Sequence, residues 1–229
     1  MRANAGGPHK ALARVHGITL LEWNVRLLMR CGFHDIVVAV SSNEPAISEC
    51  LLSSIAPVAA HDGAVVSLYE EKTPLGNVGA AREIAGNADN VLMLYVDNLA
   101  LIDPRQLVDV HNRGGFAVTI ATHVEPFEIP FGRLSIAQGH ITQYVEKPVI
   151  RVQVSSGTCV LSKRACGLIP EGRPIGVSEL FASLVERGES VGAFRHDEPW
   201  IDINDESALT RARTLVEKHF AAFHGVTIP

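Results

Sequence analysis

The strongest constraint on the fold is a rhythm that fills the first half of the chain. Amphipathic stretches and short apolar runs alternate there without interruption. "TLLEWNVRLLMRCG" predicts a helix: Thr19 and Glu22 fit a capping box, Leu21, Val25, Leu28 and Met29 share one face, and Gly32 stops it. "DIVVAVS" predicts a buried strand, residues 44–54 a helix, "VVSLYE" a second strand, and residues 77–85 a helix after a Pro-Leu-Gly turn. "NVLMLYVDN" is a continuous apolar run that ends in Asp97, as expected of a central parallel strand covered on both faces. Asp103-Pro104 opens another helix. Such alternation is the pattern of a doubly wound α/β sheet.

After Gly115 the rhythm changes. "FAVTIATHV", "GRLSIA", "HITQYVEK" and "VQVSSGTCVL" all look like strands, with glycine in the turns, and predict an antiparallel patch inside or beside the sheet. A helix over 178–187, a strand "SVGAFRH" and a last helix from Asp205 follow, the last with Leu209, Ala212, Val216 and Phe220 inward. No linker or repeat divides the chain, so one domain over residues 1–229 is expected, with halves at 1–114 and 115–229. An apolar share of 47% is enough for a large core. A net charge of −5 gives no electrostatic drive toward nucleic acid or an anionic membrane. Cys31, Cys50, Cys159 and Cys166 lack C-x-x-C or zinc-knuckle spacing and fit reduced thiols. With no apolar leader and no membrane-length run, a cytoplasmic protein is expected.

Ligands of open α/β sheets sit outside the C-terminal strand ends. Asp97 falls at such an end, where a carboxylate either holds Mg²⁺ with waters and substrate phosphates or simply shapes an Asp-Asn turn. Asp202, in "WIDIN", either shares that metal or caps a turn. Gly6 and Gly7 followed by Lys10 offer bare N–H groups and an ammonium to an anion, or form a solvated loop. Glu146 and Lys147 stand before a strand-ending proline, and strand alternation sends them to opposite faces. Nucleophile-elbow, Walker and H-E-x-x-H motifs are absent.

Taken in order, these segments resemble the sugar-1-phosphate nucleotidylyltransferase family, the NDP-sugar pyrophosphorylases. "PHKALARVHGITLLEW" is similar to its P-K-x-L-x-P-V-x-G-x-P-L-L-E-W segment and "EEKTPLGNVGAAR" to its E-x-x-P-L-G-T-A-G-A-L turn. "VLMLYVDNL" resembles the metal-binding strand, "PFGRL" Y-G-V-V, "YVEKP" F-x-E-K-P, "VSSGTCVL" V-N-A-G-I-Y-V-L, and "WIDIN" W-x-D-I-G. The resemblance implies a Rossmann-like α/β/α sandwich with a mixed, mostly parallel sheet. It also implies an Mg²⁺-dependent reaction of a nucleoside triphosphate with a sugar 1-phosphate, in a protein that is a possible homo-oligomer. By family position Asp97 and Asp202 hold the metal, and Lys10, Asp97 and Lys147 are the catalytic set. Ala5, Gly6, Gly7, Lys10, Pro74, Gly76 and Gly79 bind the nucleotide, while Gly132, Glu146, Lys147 and Gly157 bind the sugar phosphate. The lack of a glutamine near Gly79 leans toward a purine such as GTP.

The chain departs from the pattern in three places. About ten residues that wrap the triphosphate are missing between Gly7 and Pro8. Ser155 replaces the usual asparagine, and Val96 the usual glycine before the metal aspartate. The missing wrap keeps an alternative open: a homologue that binds sugar nucleotides or regulates, without turnover.

Overall fold

Asn24, on the first helix, shows how the fold is pinned together: its side-chain amide donates to the carbonyls of Leu20, Val96 and Asn98. The computed structural model describes residues 9–225. Strands β1 (Arg14–Val15) and β2 (Ile18–Thr19) form a short hairpin that feeds α1 (Leu20–Arg30). Thr19 Oγ1 accepts the Glu22 N–H at 3.2 Å, as the capping box predicts. Leu21 and Val25 pack with Ile36 and Val40, and Leu28 and Met29 join the margin of that cluster. Leu20 and Trp23 enter a second cluster with Ile203, Leu209 and Val216. The helix is therefore buried on two sides, where its periodicity predicts one.

Strands β3 (Asp35–Ser41) and β4 (Val65–Glu71) pair in parallel, with Asp35 opposite Val65 and Ser41 opposite Glu71. Their crossover is longer than the expected helix over 44–54. It runs through α2 (Pro45–Cys50), a π-helical turn (Leu51–Ile55) and α3 (Ala56–His61). Leu51, Ile55 and Ala59 keep one buried face across Pro57, because the widened turn before the proline accommodates its missing N–H. The helix expected over 77–85 shrinks to α4 (Ala81–Ile84). Gly76 lies at φ +79°, outside helical space, and the Asn77 side chain instead accepts the Val177 N–H at 2.8 Å.

Next come β5 (Asn90–Leu94), β6 (Asn98–Ala100), α5 (Pro104–Gly114), β7 (Val118–Glu128), β8 (Arg133–Ala137), β9 (His140–Val145) and β10 (Val149–Ser162). The chain closes with α6 (Lys163–Gly167), α7 (Val177–Glu186), β11 (Val191–Arg195), β12 (Trp200–Asp202), α8 (Glu206–Lys218) and α9 (Phe220–His224). A four-stranded mixed sheet has the order β11-β7-β10-β5, parallel only between β11 and β7. β5 is thus antiparallel to its partner, against the parallel expectation. Both its faces are nonetheless covered: Val91 and Met93 pack on one cluster, Leu92 on another. β12 pairs with β6, and β8 with β9. In the last helices Leu209, Ala212 and Val216 face inward, but Phe220 is exposed. The helix breaks at His219, and Phe223 occupies the core against Trp23 instead. Among the described residues no helix is long and apolar enough to cross a membrane.

Candidate active site

Two acidic residues 105 positions apart in sequence meet at the ends of β5 and β12. In the β6–β12 ladder Asp202 stands opposite Asn98, and the Ile203 N–H donates to the Asp97 carbonyl at 2.9 Å. The turn that carries Asp97 is held from below by Asn24, which binds the carbonyls on either side of it, Val96 and Asn98. Asn98 donates to the Asp97 carboxylate at 3.2 Å. Burial, then the nearby Asp97 charge, push the Asp202 carboxyl above the ordinary carboxylate range, while Asn204 and Lys10 oppose the shift.

Lys10 reaches this pair from the other end of the chain. It is buried, and its Nζ donates to Asn204 Oδ1 at 2.8 Å, while the Asn204 amide donates to Asp202. A buried lysine is thus linked to Asp202 through one asparagine. Two hard oxygen donors that repel one another fit a divalent cation, which would relieve the repulsion and take its remaining ligands from water and phosphate. Among the described residues no third histidine, cysteine or carboxylate joins them. That leaves ligand positions for substrate oxygens.

Gly157 closes one side. Its φ is +70°, and the register of β10 against β7 shifts between Ser155 and Cys159 around it. A Cβ there would stand 2.6 Å from Asn98 Nδ2 and 3.2 Å from Tyr95 Cδ2, so only glycine lets β10 pass so close to the Asp97 turn. The hydroxyl of Tyr95 is buried without a hydrogen-bond partner among the described residues, and burial pushes its pKa up.

Behind Gly157 lies a buried polar chain that the sequence reading missed. Ser156 Oγ lies 2.8 Å from His123 Nδ1 and 2.7 Å from His196 Nε2. Trp200 packs against His123 with the rings tilted by 40° and donates its indole N–H to the Ser156 carbonyl at 2.8 Å. One serine thereby ties β7, β10, the segment after β11 and β12, which carries Asp202. A hydroxyl has one proton, so it donates to one imidazole and accepts from the other.

The remaining expected site residues fall on other segments of the chain. Pro74, Gly76 and Gly79 line the turn after β4, whose shape is fixed by buried Glu71 accepting the Leu75 N–H at 3.0 Å. Gly76 lies against the Ile175 backbone, where a Cβ would be 2.2 Å from the carbonyl oxygen. Gly132, Glu146 and Lys147 flank the β8–β9 hairpin, just before β8 and just after β9. A Cβ on Gly132 would strike Tyr144, whose hydroxyl donates to Glu146 at 2.6 Å. Lys147 is exposed and has φ +42°. No hydrogen bond or ion pair among the described residues links this group to Asp97 or Asp202. Ala5, Gly6 and Gly7 lie outside the described residues. Two surface clefts, one beside His111 and Ser190 and one beside Met29 and Val58, contain neither aspartate.

Residues 2–160 match the MobA-like NTP transferase domain. The chain belongs to that family. The expected kinship with sugar-phosphate nucleotidylyltransferases stands, and the chain is of the NTP transferase class. HddC from Yersinia pseudotuberculosis, solved in complex with GMP-PN, superposes at a TM-score of 0.72 and 20% identity over 93% of this chain and 92% of its own. A putative glucose-1-phosphate thymidylyltransferase from Bacillus anthracis, in complex with a sucrose, gives 0.69 and 19% over 91% and 86%. The inositol-1-phosphate CTP transferase from T. maritima gives 0.69 and 18% over 100% and 93%. These likenesses establish the Rossmann-like fold. No curated protein matches the sequence.

Proposed function

We propose that this chain is a sugar-1-phosphate nucleotidylyltransferase. A phosphate oxygen of the sugar 1-phosphate attacks the α-phosphorus of a nucleoside triphosphate. The bond from that phosphorus to the bridging oxygen of the β-phosphate breaks, and pyrophosphate leaves with the electron pair. The observation that carries this reading is the meeting of Asp97, Asp202 and Lys10 around one crevice edge, with Gly157 beside it. Phosphoryl transfer rests mainly on positioning and charge neutralisation, which such a set provides.

Asp97 and Asp202 would hold Mg²⁺, which when bound offsets charge on the triphosphate. Lys10 steadies phosphate oxygens and is kept in place by Asn204. Lys147 takes the sugar phosphate, with Glu146, Gly132 and Gly157 around the sugar. Ala5, Gly6 and Gly7 meet the triphosphate, and Pro74, Gly76 and Gly79 the base. The missing glutamine near Gly79 favours a purine, and the HddC complex with GMP-PN supports guanine. A pyrophosphate-release assay with each triphosphate against a panel of sugar 1-phosphates tests the reading. Release with GTP, lost in Asp97→Asn, is expected. Silence across the panel overturns it, and if calorimetry still shows nucleotide binding, the missing wrap favours a homologue that binds without turnover.

A further inference from the structure

The segment from Glu125 to Val152 forms an arm: the outer halves of β7 and β10 are its base, and β8 and β9 its tip. Inward of the arm, the ladder of β10 on β7 breaks between Ser155 and Cys159. Two consecutive carbonyls lie inside that break, and each is taken by a donor that precedes an aspartate of the crevice. The Ser156 carbonyl accepts the Trp200 indole N–H at 2.8 Å, and the Gly157 carbonyl accepts the Tyr95 backbone N–H at 3.1 Å. Asp202 and Asp97 stand two residues after those donors. The strand that carries Asp202 needs such a tether. β12 pairs only with β6, in a two-stranded sheet separate from the four-stranded one. Two strands alone are marginal in water.

The side chain at this point is locked. Ser156 is wholly buried, with its Oγ between His123 Nδ1 and His196 Nε2. His123 Nε2 lies 3.3 Å from Glu125 Oε2, an ionic approach rather than an aligned hydrogen bond. A carboxylate only accepts, so the neutral His123 ring carries its proton on Nε2. Its Nδ1 is then a lone pair and takes the Ser156 hydroxyl proton. The hydroxyl oxygen in turn accepts from His196 Nε2–H. The chain of Glu125, His123, Ser156 and His196 therefore runs in one direction, and no other hydroxyl orientation satisfies both rings.

We propose that Ser156 is a positioning residue for the cation. Clamped by His123 and His196, it fixes the two carbonyls that set the spacing of Asp97 and Asp202, and thereby the fit of that pair to a divalent ion. The inference rests on the reading of these aspartates as the cation pair. One ion must draw an oxygen from each within a single coordination sphere, so a drift of about 1 Å in one strand loosens the site. Without the hydroxyl both rings lose their partner and repack, and the peptide joining Ser156 to Gly157 is freed with them.

Mn²⁺ binding to the metal-free full chain, followed by the EPR signal of the free ion, tests this. The binding counted is the part lost in Asp97→Asn. Ser156→Ala should weaken it about 10-fold, the effect expected when a ligand loses its support from behind. His196→Phe, which loses the donor, should do the same, and His196→Gln, which restores an N–H, should stay within about twofold of wild type. Thr119→Val is the control. It strands His111 Nδ1, 3.0 Å from Thr119 Oγ1 in an equally buried pair earlier on β7. It should lower stability and leave Mn²⁺ affinity unchanged. Wild-type affinity in Ser156→Ala, or the same loss in Thr119→Val, overturns the proposal. Should Ser156→Ala not fold, the two His196 variants decide, and equal affinity in both overturns it. Hydrogen exchange read by NMR needs no cation. The Trp200 indole proton and the Tyr95 amide proton should both exchange faster in Ser156→Ala and His196→Phe but not in Thr119→Val, and unchanged exchange overturns the proposal. A wild-type chain that takes no Mn²⁺ sinks the cation reading, and exchange alone then decides whether Ser156 positions the two strands.

Discussion

The crevice at Asp97 and the arm at Glu125–Val152 hold their residues by opposite means. Around Asp97, one asparagine on α1 binds three carbonyls, a buried lysine is tethered through Asn204, and buried Ser156 joins two imidazoles. On the arm, Glu146 is held by one exposed tyrosine, and Lys147 makes no side-chain hydrogen bond or ion pair among the described residues. The two aspartates are positioned by a framework that must unfold before they move. Of the residues assigned to the sugar, Gly132, Glu146 and Lys147 sit where little energy resists change, while Gly157 belongs to the framework beside Asp97.

The contrast can be tested from its largest effect downward. Asp97→Asn should lower pyrophosphate release by about 10³-fold or more with no loss of melting temperature, since it removes a transition-state charge, relieves the repulsion on Asp202 and leaves the backbone in place. A variant that keeps wild-type turnover would break the metal assignment. Ser156→Ala strands His123 Nδ1 and His196 Nε2 in a buried setting and should cost about 2–4 kcal/mol in urea unfolding. A loss near zero would mean that the polar chain does not stiffen the framework.

Three smaller effects sharpen it. Without metal the ionised Asp202 is unfavourable in the folded state, because its pKa is raised there. Asp202→Asn should therefore raise the melting temperature at neutral pH while lowering turnover, and the gain should shrink once pH falls below the raised pKa and vanish at the ordinary carboxylate value, where Asp202 is protonated in both states. Burial holds His111 and His196 below the ordinary 6.5. The folded chain then binds fewer protons than the unfolded one, so stability is full above 6.5 and declines as pH drops below it, a slope that His196→Gln should flatten. On the arm, Lys147→Ala should raise KM for the sugar phosphate and change stability by only about 0.5 kcal/mol.

The sequence made some of this legible and hid the rest for physical reasons. Strand Asp35–Ser41, the Thr19 cap and the convergence of Asp97 with Asp202 follow local patterns or ordered motifs, and these agree with the structure. Asn24, Asn98 and Asn204 carry no such signal, because their partners are backbone carbonyls and carboxylates brought near only by folding. Ser156 resembles any strand serine until His123 and His196 arrive from β7 and from beyond β11. The second buried side of α1 is hidden because Leu20 and Trp23 merely widen an apolar stripe already assigned one partner. Phe220 fits the helical period of α8, yet the break at His219 turns it to solvent.

The break in register at Gly157 has a consequence for how the molecule can change. β10 is a single strand shared by the arm and the crevice, so a slip at its outer end would ordinarily shift every pairing down to Cys159 and disturb Asp97. The bulge absorbs that slip, since the pairs on its two sides are already out of step. The outer segment can be lengthened, shortened or grafted from a relative while the inner ladder keeps its alignment. The outer segment is thus a separable head on a fixed mount, and its pairings can change without rebuilding the crevice at Asp97.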